Sequence, residues 1–322
     1  MEKNYQDITD VPGVAVGHSE DREAYTGCTA ILFEQDTVCG VDVRGSAPGT
    51  RETDLLNPVN LVDRVHGICL AGGSAYGLDA AGGIMKYLEE KGIGLNVGAG
   101  VVPIVPAAVL FDLPVGDASV RPDGKMGYEA ASLAKRGDLS WGNAGAGCGA
   151  TVGKVAGIHR AMKGGIGSSS RFLPGELVIG AIVAVNAVGE IRDLDGNVMA
   201  GARDDHGKIV SSLDLMVDQA SIPLLPGTNT TIGVVACNAK LTKSQAAKVA
   251  SMAHNGLART IFPVHTMMDG DTIFAAATQE VEASVDLVGT FAAEVMAEAV
   301  VSAIKHAKGI DGFPAYRDLH KK

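Results

Sequence analysis

Residues 226–239 read PGTNTTIGVVACNA, a Pro-Gly break followed by Asn229-Thr230-Thr231 at the mouth of an apolar run. A threonine hydroxyl is a weak nucleophile until a base activates it, and one such base is the residue's own α-amino group. That amine titrates near ~7.7–8.0 in model peptides, close to neutral working pH. It exists only if the peptide bond before Thr230 has been cut. The cut itself needs only the hydroxyl attacking the preceding carbonyl in a strained turn. A plain Asn-Thr-Thr turn capping a strand accounts for the same residues, and spacing alone leaves both readings open.

Other groups could serve such chemistry. Asp269-Gly270-Asp271 places two carboxylates just before another apolar run (TIFAAAT, 272–278). Paired carboxylates could orient a new ammonium and tune its pKa, although Asp-Gly is also a common turn. Asn186 ends the apolar run of VAVNAVGE, where a buried amide could donate to an oxyanion or simply form a turn. Lys154 is the only charge in the small-residue stretch GATVGKVAG, either a buried lysine with a shifted pKa or one that snorkels to solvent. AGGSAYG (71–77) resembles a phosphate cradle between strand and helix, but it lacks the Walker Lys-Ser/Thr and no GxGxxG is suitably placed. The eight histidines are scattered, with neither HExxH nor GxSxG.

Composition narrows the classes. The 322 residues are 46% apolar and 20% charged, which suits a sizeable core. A net charge of −10 argues against a nucleic-acid partner. The 42 glycines and 4% aromatics point to close backbone packing and tight turns rather than an aromatic groove. Cys28, Cys39, Cys69, Cys148 and Cys237 form no CxxC and no zinc spacing, so they read as small buried hydrophobes in a reducing compartment. No signal peptide is visible, and no uninterrupted apolar stretch of about 18 residues suggests a membrane span. The expectation is a cytoplasmic protein.

These groups need elements to position them. VAVGH, TAILFE and VCGVDVRG in the first 60 residues read as short strands and hairpins. HGICLA reads as a strand, then a glycine turn, then a helix from near Ser74 to Lys91-Gly92. Residues 101–115 carry three prolines and suit a cavity wall or an edge. The glycine-dense residues 141–170 keep apolar side chains throughout, unlike a flexible linker, and read as ordered, closely packed backbone. LVIGAIVAVNAVGE (177–190) is a strand and turn, residues 201–225 a polar surface loop, and 230–237 a strand. A helix follows, with Thr242 as N-cap and Val249, Met252, Ala253 and Leu257 on its apolar face. Residues 283–308 form a long helix apolar on more than one side, hence mostly buried. Strands grouped with a few long helices argue an α+β, layered αββα domain.

Taken together, DVPGVAVGH (10–18), AGGSAYGLDAAGGI (71–84), VPIVPAAVLFDL (102–113), GAGCGATVGK (145–154) and NTTIGVVACNA (229–239) resemble the P1 family of L-aminopeptidase/D-esterases, peptidase family S58, over nearly the whole chain. The resemblance is nearest to the nylon-oligomer endo-hydrolase branch. It implies a four-layer αββα sandwich of the N-terminal-nucleophile-hydrolase type, a single domain over residues 1–322 made as an inactive precursor. Self-cleavage between Asn229 and Thr230 would give chains 1–229 and 230–322. Thr230 is then the nucleophile, preferred to Thr231 because it directly follows Asn229. Asp269 and Asp271 match the acidic pair near the new terminus, Asn186 the oxyanion-side amide, and Lys154 the lysine of the nylon-hydrolase branch. Phe111 stands near where relatives carry a tyrosine, and Phe111 and Tyr76 are the substrate-contact candidates. The implied reaction is acyl transfer from an amide through Thr230 to water, with no metal or cofactor, in a homotetramer. The alternatives are an acyltransferase of the ornithine-acetyltransferase type, an uncleaved non-catalytic binding protein, and a nucleotide binder through AGGSAYG.

Overall fold

The computed structural model describes residues 5–218 and 229–319. Its 9-stranded sheet comprises β1 (Val14–Asp21), β2 (Thr26–Val43), β3 (Thr50–Arg51), β4 (Arg64–Ala71), β5 (Ala107–Val109), β6 (Gly165–Leu173), β7 (Leu177–Asn186), β8 (Thr230–Ala239) and β9 (Thr272–Val281). The order is β6-β7-β8-β9-β2-β4-β5-β3, with β1 also paired to β2. β8–β9 and β4–β5 are parallel and the remaining pairs antiparallel. The principal helices are α1 (Ala80–Glu90), α2 (Gly124–Ser132), α3 (Lys243–Thr260) and α4 (Val285–His306).

Period-2 side chains divide this sheet into two packed leaves. On β7, Ile179, Ala181, Val183 and Val185 join a core beneath α3 and α4, whereas Val178, Ile182 and Ala184 face the other way. β8 and β9 alternate likewise, with Val235 and Ile273 toward the helices and Ile232, Val234 and Phe274 toward the centre. The central core also takes Ile31, Ile68, Leu70 and Leu110, whose neighbours Ala30, Cys69, Ala71 and Val109 pack under α1 and α2. The layers run α3/α4, leaf, leaf, α1/α2, so the fold is α+β with an αββα arrangement. β2 links the leaves, its first half on β1 and β4 and its second half on β9.

Thr242 caps α3 in a full capping box with Gln245, and Ser284 caps α4. Three details depart from the sequence reading. The runs TAILFE and VCGVDVRG belong to one 18-residue strand, because Glu34-Gln35-Asp36 continues it where the register against β4 shifts between Leu32 and Thr37. The helix expected from Ser74 opens with 3₁₀ turns over Ser74–Asp79. The loop at 201–225 contains a short helix, Ser212–Asp218, and its last part, with the Pro226-Gly227 break, lies outside the described residues. As the sequence reading has it, α4 is mostly buried: by length and composition it could cross a membrane, yet 67% of its most apolar window is buried inside the protein. All five cysteines are buried free thiols.

Candidate functional site

β8 starts in the middle of the sheet, so its first residues sit between two neighbours. Thr230 lies opposite Asn186 of β7, and the pairing toward β9 reaches back to Asn229 beside Asp269. Asn229, Thr230, Asn186, Asp269 and Asp271 are all buried. The Thr230 hydroxyl donates to the carbonyl oxygen of Asn229, and the Gly270 N–H donates to the same oxygen at 3.0 Å. The carbonyl of the Asn229–Thr230 bond therefore receives a backbone donor from the turn that leads into β9, the kind of contact that stabilises an oxyanion. Gly270 must be glycine for this: a Cβ there would stand 2.6 Å from the Ala47 carbonyl oxygen and 2.9 Å from Thr230 Oγ1.

Sheet alternation separates the two threonines. Thr230 falls in step with Ile232 and Val234 on the inter-leaf face, where it helps to line a cavity of about 240 Å³ with Ala47–Gly49, Ser74-Ala75 and Val109–Phe111. Thr231 is fully buried in the other phase, and its hydroxyl has no hydrogen-bond partner among the described residues. Phe111 shares the cavity with Thr230. Tyr76 does not: it is 61% exposed under the guanidinium of Arg121, although Ser74 and Ala75 of the same turn line the cavity.

Asn186 is committed on both sides. Its Nδ2 donates to the Phe111 carbonyl at 3.0 Å, and its Oδ1 accepts from Lys154 Nζ at 2.8 Å and the Thr151 N–H at 3.0 Å. Lys154 Nζ also donates to the Asn186 backbone carbonyl at 2.9 Å. So Asn186 anchors Lys154 and the Phe111 loop beside Thr230, and the donor on the Asn229 carbonyl is Gly270 rather than Asn186. Burial pushes Lys154 down to about 7, opposed by Asp269, Asp112 and Asp271. Both of the Lys154 bonds to Asn186 can be made by a neutral amine.

Asp269 Oδ2 accepts from the Thr266 N–H at 2.7 Å and from its hydroxyl at 2.5 Å. Burial, then the neighbouring Asp271, pushes Asp269 up to about 6, against Thr266 and Lys154. Asp271 accepts from the Thr231 N–H at 2.7 Å and from His265, through the backbone N–H at 3.1 Å and Nδ1 at 2.8 Å. Burial thus pushes the Lys154 amine down and the Asp269 carboxyl up, so the two groups are shifted toward each other, a pattern common at sites that move protons.

His265 and His254, stacked edge-on at 4.8 Å, are absent from the sequence reading. The available signal was His254 falling on the buried face of α3 with Ala250, Ala253 and Leu257. The glycine turn of AGGSAYG is also explained. It holds the chain's own carboxylate: Asp112 accepts from the Gly73 N–H at 2.7 Å and from Thr26 Oγ1 at 2.8 Å. A Cβ on Gly72 would come 2.0 Å from Asp112 Oδ2. The space a nucleotide phosphate would need is filled from within. Among the described residues, no three His, Cys, Asp or Glu side chains are grouped to hold a metal.

The profile of Peptidase family S58 matches residues 6–317. The chain belongs to peptidase family S58. An uncharacterized aminopeptidase of Mycobacterium tuberculosis is 42% identical, with 97% of each chain covered. A 6-aminohexanoate-oligomer endohydrolase of Kocuria sp. is 33% identical, covering 92% of this chain and 85% of that one. The solved L-aminopeptidase D-Ala-esterase/amidase of Ochrobactrum anthropi, described as a variant of the Ntn hydrolase fold, superposes with a TM-score of 0.70 at 20% identity, over 98% of this chain and 91% of that one. The S58 chain is therefore a hydrolase by family, with an N-terminal-nucleophile-hydrolase-like fold.

Proposed function

We propose that this S58 chain cuts itself between Asn229 and Thr230 and then hydrolyses amides through the new N-terminal threonine. The observation that carries the reading is the approach of the Thr230 hydroxyl to the Asn229 carbonyl, whose oxygen already accepts from the Gly270 N–H. In the precursor, attack of Oγ1 on that carbonyl carbon gives a tetrahedral oxyanion held by Gly270. Lys154 or Asp269 is the proton acceptor near neutrality, since Thr230 has as yet no free amine. Collapse breaks the C–N bond, the Thr230 nitrogen takes a proton, and water hydrolyses the ester. The freed amine is then the base for the Thr230 hydroxyl in turnover.

A substrate amide carbonyl acylates Thr230, the amine portion leaves, and water releases the acid. Among the described residues, those lining the cavity at Thr230 are small or apolar apart from the Ser74 and Thr230 hydroxyls, which suits a small, aliphatic acyl portion. The names of the relatives, aminopeptidase and 6-aminohexanoate-oligomer endohydrolase, agree with an amide of this kind.

Intact mass of the purified protein beside Thr230→Ala tests the reading. Wild type should give two pieces of roughly 23–24 and 9–10 kDa, the two lengths at the chain's mean residue mass, and Thr230→Ala a single uncut chain that is inert to amides. A wild type that stays whole, or a Thr230→Ala chain that is cut, refutes it.

A further inference from the structure

We infer that His265, backed by His254, is a positioning residue for the nucleophile: its ring N–H holds Asp271, and Asp271 holds the backbone N–H of Thr231. The inference rests on the reading of Thr230 as nucleophile.

The parallel ladder between β8 and β9 begins at Ile232 and Thr272. One residue earlier, the Thr231 N–H goes to a side chain instead, Asp271 Oδ1 at 2.7 Å. That carboxylate thus fixes the first amide after the bond to be cut. Its backbone is fixed too, since the Asp271 carbonyl accepts from the Arg44 and Gly45 N–H groups at 3.0 and 3.1 Å. The remaining freedom is rotation of the carboxylate, and His265 removes it. Its backbone N–H and Nδ1 both meet Oδ2, and the ring can present Nδ1 there because His265 adopts a left-handed φ of 57°. His254 donates from Nε2 to the Asp42 carbonyl at 3.0 Å and closes the other side of the ring.

Two core-filling histidines would be a poor choice if filling were all they did. His265 Nε2 and His254 Nδ1 are buried with no hydrogen-bond partner among the described residues. Leaving a buried polar atom unpaired is unfavourable, and an aliphatic side chain would fill the space without that cost. What an aliphatic side chain cannot supply is the N–H on Asp271.

Three substitutions separate the ring bond from the backbone. His265→Gly keeps the left-handed backbone and its N–H but removes the ring. His265→Asn tolerates the same backbone and returns an amide N–H near the place of Nδ1. His265→Leu fills the space with no donor. Self-cleavage is followed by intact mass, and turnover of the matured protein with alanine p-nitroanilide. The Gly and Leu variants should cleave and turn over more slowly by on the order of tenfold or more, as small displacements of reacting groups do, with kcat lowered and KM little changed. The Asn variant should return most of the rate. Equal rates in wild type and Gly variant overturn the inference, as does an Asn variant no faster than Gly when both give the wild-type circular dichroism. The wild-type control keeps the two claims apart: if wild type is cut and the variants match it, only the positioning role falls, whereas an uncut wild type removes both.

Discussion

Replacing Lys154 by methionine should change how stability depends on pH, and the size of the change follows from the burial of this lysine. To keep one covalent chain, the comparison is made between Thr230→Ala and Thr230→Ala/Lys154→Met. Folding lowers Lys154 from 10.5 to about 7. Below pH 7 both folded and unfolded chains hold the proton, and folding bears the full cost of burying the charge. Between 7 and 10.5 the folded chain has released the proton while the unfolded chain still binds it, so stability rises with pH. Each tenfold change in proton affinity corresponds to about 1.36 kcal/mol, which makes the full cost of order 4–5 kcal/mol. About 2 kcal/mol of it disappears between pH 7 and pH 9 by the same linkage. Methionine has no proton to lose and so no such dependence. It does leave the Asn186 oxygens without Nζ, a loss of about 1–3 kcal/mol that does not vary with pH. The stabilisation by methionine, measured by urea unfolding, should therefore be about 2 kcal/mol smaller at pH 9 than at pH 7. Parallel pH dependence of the two proteins would refute the reasoning, because it would mean that Lys154 is not desolvated on folding.

Two further substitutions bear on the cleavage geometry. Gly270→Ala sets a methyl group between the Ala47 carbonyl and Thr230 Oγ1, so self-cleavage followed by intact mass should slow by on the order of tenfold or more; an unchanged rate would mean that Thr230 need not occupy this position. Thr231→Val replaces a buried hydroxyl that has no partner among the described residues with a methyl of the same shape. It should leave cleavage intact and raise unfolding stability by up to about 1 kcal/mol, whereas loss of cleavage would make Thr231 the nucleophile.

The elements that flank the site were legible because each carries a regular pattern. β7, β8 and β9 are nearly continuous apolar runs, α3 has an N-cap and an apolar face, and α4 is a long apolar stretch. β2 read as two strands because a polar segment inside a strand looks like a turn until its partners are known. The grouping of Thr230, Asn186, Lys154, Asp269 and Asp271 required the family resemblance, since each is ordinary in its own segment. Their division of labour was not legible at all. That the Asn229 carbonyl is served by Gly270, and that Asn186 is taken up with Lys154 and Phe111, depends on which strand lies opposite which. His265 lies 6 residues before Asp271 but meets His254 across a gap no sequence motif spans. Tyr76 belongs to a turn that lines the cavity, but its exposed side chain lies under Arg121 and not in the cavity, which the sequence did not show.

β8 lies inside the sheet, between β7 on one side and β9 on the other. A break before Thr230 would assign the two faces of a single core to different molecules: β8, β9, α3 and α4 to the shorter piece, and β2, β6 and β7 to the longer. Neither piece could then bury its apolar surface alone. Folding would be a first-order process only while the chain is whole. After the break, denatured material would have to find its partner by diffusion, so recovery would depend on protein concentration in the cut form and not in Thr230→Ala. The chain would thus have one opportunity to reach its native state unimolecularly, and the mature form would persist through its unfolding barrier rather than by repeated refolding.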